Sequence, residues 1–176
     1  MTTTPPLLAH EIYVRVLRIA RLDGMSVLGL AGFFALTAAG AGNVQGALVG
    51  VLIALAGALE LHGASMLRQG DARGIDWLVR SQFYLLLMML GYCGWRLTRI
   101  DLEPLRAAFQ IALRSPMMQK SWAANQEMGM TEDQFLQQTY TLTYVLLAIA
   151  TLIYQGGMAL YYLRRRDPVT RALAEE

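Results

Sequence analysis

The amino-acid sequence predicts an all-α membrane protein: a bundle of four transmembrane helices, with an amphipathic helix at the cytoplasmic face before them and an extracytoplasmic one between spans three and four. Three observations predict it. The chain of 176 residues is 55% hydrophobic and only 16% charged, with a mean hydropathy of +0.37, which is more apolar than an ordinary soluble domain. Four apolar runs are long enough, at about 1.5 Å rise per residue, to cross a hydrocarbon core about 30 Å thick. No run alternates apolar and polar residues as a membrane barrel strand does, so helices are left to satisfy the backbone in lipid.

In chain order, Met1 to Pro6 reads as a short disordered start without a secretory leader. From residue 7 to 22, Glu11, Arg15 and Arg18 recur on one side, opposite Ile12, Tyr13, Val16, Leu17 and Ala20. That pattern predicts a helix on the membrane surface, with Arg15, Arg18 and Arg21 reaching lipid phosphates. Asp23-Gly24 is expected to break it. The spans follow at 25–40, 46–67, 75–98 and 140–163, with residues 99–139 outside, all within a single polytopic domain of 176 residues.

The first two spans form a hairpin through Gly40-Ala41-Gly42-Asn43. Gly46, Gly50, Ala54 and Gly57 line the second span with small residues, a pattern that lets another helix backbone come close. Trp77 and Trp95 suit the two interfaces of the third span. In the outer segment, Asp101 caps an amphipathic helix bearing Leu105, Phe109 and Leu113 on its apolar face, Ser115-Pro116 ends it, and Met117 to Gly129 reads as irregular or loosely helical. Thr131-Glu132-Asp133-Gln134 has the form of a helix start, so the last helix begins in water and runs to Leu163.

Orientation follows from the Lys and Arg count. The N-terminal segment, residues 68–80 and the C-terminal tail carry ten, against five between Arg96 and Tyr140. The positive-inside rule then places both termini in the cytoplasm, and the whole pattern suits a bacterial inner membrane.

Chemistry concentrates at Glu60 and His62, polar residues inside an apolar run. Counting inward from the cytoplasmic ends of their helices, Glu60, Arg80 and Gln155 all fall about 7 to 12 Å deep. With His62, Gln82, Tyr84 and Tyr154 at adjoining depths they form one polar layer, in which Glu60 and Arg80 are the expected ion pair. Two readings of the layer stand: a salt bridge that fixes helix register, or an ion or proton site with His62 as relay.

Other function classes are excluded on residue content. A net charge of +2, spread along membrane edges, does not suit nucleic acid. The single Cys93 makes no disulfide or thiolate cluster, and no catalytic, metal or cofactor motif is present, so neither an enzyme, a metal site nor a cofactor is expected. The expected function is a homo-oligomeric ion channel or small transporter using Glu60, His62, Arg80 and Gln155. The alternative is a non-catalytic accessory, scaffold or lipid-binding subunit of a larger membrane complex. In either case membrane lipids are partners.

Overall fold

The computed structural model describes residues 8–174, so the expected disordered start lies outside the described residues. Among these residues the protein is helical and contains no strand. The helices are α1 (Ala9–Gly40), α2 (Val44–Arg68), α3 (Gly74–Thr98), α4 (Glu103–Ala112), α5 (Pro116–Glu127), α6 (Glu132–Arg164) and α7 (Arg166–Ala174).

Three of them, α1, α2 and α6, are long and apolar enough to cross a membrane. Only 22%, 22% and 17% of their most apolar windows is buried in the protein, so most of that surface faces outward. Phe33, Phe34 and Leu36 of α1 and Ile153 of α6 are among the exposed side chains. A surface of this kind is at home in lipid and would associate in water. The residues of the third expected span form a helix, α3, but Asp76, Arg80, Ser81 and Gln82 lower its apolar character, and it is not among the helices apolar enough to cross a membrane.

Two compact units divide the chain: one holds the residues up to Leu90 together with those from Thr151 onward, the other Gly91–Ala150. In the first unit, α1 runs unbroken through Asp23-Gly24. An Asp-Gly pair favours a turn only weakly when the helix on both sides is long and packed, and here Gly24 is itself buried against α2. The separate surface helix of residues 7–22 is therefore the first half of one 32-residue helix. Its apolar face does not rest on lipid. Ile12, Tyr13, Val16 and Ala20 pack into a core with Ala64 and Leu67 of α2, Ile75 and Leu78 of α3, Tyr162 of α6, and Val169 and Ala172 of α7. Arg15, Arg18 and Arg21 stay exposed on the other side.

The Tyr13 hydroxyl donates to the Leu67 carbonyl oxygen at 3.0 Å, satisfying an acceptor near the C-terminal end of α2. Tyr13→Phe is expected to lower stability by about 1 kcal/mol, the usual net value of one buried hydrogen bond. Thermal unfolding of the purified protein in detergent reads this directly.

The turns use local chemistry. Gly42 and Gly70 take positive φ, and the Asn43 side chain accepts from the Gly46 N–H at 2.9 Å to start α2. Between α2 and α3, Asp71 accepts from the Arg73 side chain at 2.8 Å, and that hydrogen bond holds the Asp71 carboxyl below the usual carboxylate range. Helix α7 is an element absent from the sequence reading. Pro168 sits in its first turn, where no N–H is needed, and Arg166 pairs with Asp76 of α3 at 3.3 Å.

In the second unit, α6 opens with a reciprocal cap. The Gln134 N–H donates to the Thr131 hydroxyl at 3.3 Å, and the Thr131 N–H to the Gln134 side-chain oxygen at 3.1 Å. Residues 116–127, expected to be loose, form α5. Its Trp122 completes a triangle with Phe109 of α4 and Phe135 of α6, with all three ring centroids 5.4 Å apart.

Candidate functional site

The polar side chains of the first unit gather where α1, α2, α3 and α6 meet. Close approach of α1 and α2 makes this possible. A Cβ built on Gly50 would fall 2.9 Å from the Ala35 Cα, and one on Gly57 would fall 2.6 Å from the Leu28 backbone nitrogen. Gly46 faces Ala38 in the same way at 3.2 Å, whereas Ala54 is half-buried. The seam therefore steps from Gly50 to Gly57, seven residues and two helical turns. Ala31 and Ala35 of α1 are buried, as are Ala20 and Gly24 near its middle.

Glu60 lies one turn beyond Gly57 and is 1% exposed. Its Oε1 accepts a hydrogen bond of 2.7 Å from the hydroxyl of Tyr162, which is wholly buried. Asp23 of α1 enters the same cluster. Its Oδ1 accepts from the Tyr154 hydroxyl at 2.8 Å and its Oδ2 from the Gln82 side-chain nitrogen at 3.3 Å. Asp23 and Gln82 stand near Glu60, the Gln82 nitrogen donating to Asp23 rather than to Glu60.

Among the described residues no Lys, Arg or His stands within 4.0 Å of either carboxyl group as an ion-pair partner. The expected Glu60–Arg80 pair does not form. Arg80 is exposed, with its guanidinium carbon 5.9 Å from the centre of the Trp77 ring. His62 is exposed too and meets the same ring edge-on, with centroids 5.3 Å apart. A two-residue step along a helix turns the side chain by about 200°, which is why Glu60 and His62 point apart. Gln155 is 7% exposed, on the buried stripe of α6 that also carries Thr151, Ala159 and Tyr162.

Two acceptors in this region have no donor: the side-chain oxygens of Gln82 and of Gln155. Unpartnered acceptors are costly in a packed interior, and they stand out here because the rest of the cluster is well paired.

Of the functional residues, sequence reasoning placed Glu60, Gln82, Tyr154 and Gln155 at related depths but missed Asp23 and Tyr162. The signal for Asp23 was available. It lies between Ala20 and Ala31 on the side of α1 that also carries Gly24, and an acid beside a small-residue stripe faces a neighbouring helix rather than water. Compared against protein-family models, curated proteins and solved structures, the chain matches none.

Proposed function

We propose that this chain is a four-span integral membrane protein, with α3 as the fourth span, that passes a proton or small ion by way of the Asp23–Glu60 cluster. The observation that carries the reading is a buried carboxyl group, Glu60, and a half-buried one, Asp23, on neighbouring helices without a basic partner among the described residues. A purely structural polar contact is normally neutralised by an opposite charge, since ionised carboxylates in a membrane interior are expensive. A pair of acids alone changes its charge state or binds a cation.

The low apolar character of α3 agrees with a spanning role, because Ser81 and Gln82 are buried against the other helices rather than turned outward. With both termini in the cytoplasm, as the basic residues favour, the cluster lies in the inner half of a bacterial inner membrane. Few polar side chains continue outward from it, so a homo-oligomer is the form that would complete a pathway.

Reconstitution into liposomes tests this. Wild-type protein is expected to carry protons or alkali cations down a gradient, and Glu60→Gln to reduce that flux at least tenfold while keeping the same oligomeric mass in detergent. Folded wild-type protein that conducts neither protons nor alkali cations across pH 5 to 9 would overturn transport. The accessory or scaffold reading would then take its place.

A further inference from the structure

We propose that the cavity between α3, α4 and α6 in the second unit binds the headgroup of a zwitterionic phospholipid, with Arg96 on the phosphodiester and Asp101 on a primary ammonium. The inference rests on α6 crossing a membrane and is independent of ion passage.

Arg96 is held in place by its neighbours. Its guanidinium carbon lies 5.5 Å from the centre of the Tyr140 ring and 5.6 Å from that of Tyr144, two rings that themselves stand 4.8 Å apart. The Arg96 Nε donates to the Tyr144 hydroxyl at 3.1 Å, and the Tyr140 hydroxyl donates to the Arg96 carbonyl oxygen at 3.2 Å. A side chain fixed in this way has little freedom left to lose on binding. Its Nη groups are unspent. Among the described residues no carboxylate comes within 4.0 Å of Arg96, and the only side-chain hydrogen bond it donates is the one from Nε. The free N–H groups of a fixed guanidinium match the oxygens of a phosphate.

Arg96 borders a cavity of about 260 Å³, whose other walls are the two tyrosines, Pro104 and Leu105 of α4, and Asp101 just before that helix. One Asp101 oxygen accepts from the Glu103 N–H at 3.2 Å, and among the described residues the other accepts from none. A cation and an anion thus border the same space without pairing with each other. A ligand of one sign would set like charges together at one of them, whereas a zwitterion answers both. The ammonium has to carry N–H groups, since a quaternary one has nothing to donate to the carboxylate.

The position on α6 makes that zwitterion a lipid. Tyr140 and Tyr144 stand where the helix passes from Gln134, Gln137 and Gln138 to the apolar run beginning at Val145, the level at which aromatic side chains meet headgroups. Leu147, exposed about one turn beyond Tyr144, offers an acyl chain apolar surface on the same side of the helix.

The test uses the full-length protein in vesicles of equal parts phosphatidylethanolamine, phosphatidylglycerol and phosphatidylcholine, extracted into mild detergent and washed, with retained lipid measured by mass spectrometry. Wild type is expected to keep phosphatidylethanolamine about fivefold in excess of either other lipid, the factor one exposed ion pair supplies. Arg96→Gln is expected to lose all three, and Arg96→Lys, which keeps the charge, to retain less than wild type. Asp101→Asn is expected to hold phosphatidylethanolamine and phosphatidylglycerol equally. Lipid retained by wild type in the vesicle proportions overturns the proposal without recourse to any variant. So does a preference that survives in folded Asp101→Asn. Glycerophosphoethanolamine, the same headgroup without acyl chains, is expected to leave the retained lipid in place even in large excess; displacement by it would make the ligand a soluble zwitterion and overturn the lipid assignment.

Discussion

Valine in place of Gly57 is expected to keep α1 and α2 from closing. A Cβ there falls 2.6 Å from the Leu28 nitrogen and 2.7 Å from the Gly24 carbonyl oxygen. Both are backbone atoms, so no rotamer change relieves the overlap and one helix has to move away from the other. Ordinary over-packing costs about 1–3 kcal/mol, and a backbone clash belongs at or above the upper end. For a chain of this size, about 3 kcal/mol corresponds to a fall of roughly 6–12 °C in apparent melting temperature. Gly29, with nothing within 4 Å of its would-be Cβ, is the comparison: Gly29→Ala is expected to melt at or above the wild-type temperature, since alanine is the better helix former. Equal melting of Gly57→Val and wild type in detergent would mean that the α1–α2 seam does not run through Gly57.

Truncating Tyr162 is the second large effect. The ring is wholly buried in the core shared with Leu67, Leu78 and Val169, and its hydroxyl is the 2.7 Å donor to Glu60. Tyr162→Ala removes both and is expected to cost about 3–5 kcal/mol, as deletion of a buried aromatic does elsewhere. Tyr162→Phe separates the two contributions. It keeps the ring and leaves the Glu60 oxygen without its donor, for an expected loss of about 1–3 kcal/mol, the cost of a buried acceptor left unsatisfied. The decisive measurement is a double-mutant cycle: the penalty of Tyr162→Phe is expected to fall close to zero when Glu60 is already leucine. A penalty that persists undiminished would show that the hydroxyl serves something other than Glu60.

Helix existence was legible in the sequence because apolar runs of this length leave few alternatives. Glu60 was legible as well, since a carboxylate inside such a run is conspicuous. Its partners were harder to see, for a physical reason. Periodicity along one helix states which face is buried but not which neighbour it meets, so Arg80 at a matching depth looked as good as any partner. Arg80 stands off the cluster on the exposed side of α3, where Trp77 accepts its cation face-on. Tyr162, near the end of the last apolar run, has the place of an interfacial aromatic, yet its 0% exposure makes it a core residue. The Asp23-Gly24 pair misled because local turn preference was set against the packing of a long helix, and packing prevailed. Helix α7 was hidden by its charge: only Val169 and Ala172 among its residues are buried.

The link between α1 and α2, residues 41–43, bears on how the protein is made. A carboxylate near the middle of a helix adds about 2.5–3.5 kcal/mol to the free energy of insertion into a bilayer. Two helices tied by so short a connection enter together as a hairpin, and Gly50 and Gly57 let them close as they do. Insertion as a pair carries Asp23 and Glu60 across together, whereas their donors Gln82, Tyr154 and Tyr162 arrive with α3 and α6. The three-residue link thereby makes one event of two insertions that each carry an acid, and leaves completion of the polar cluster to the helices that follow.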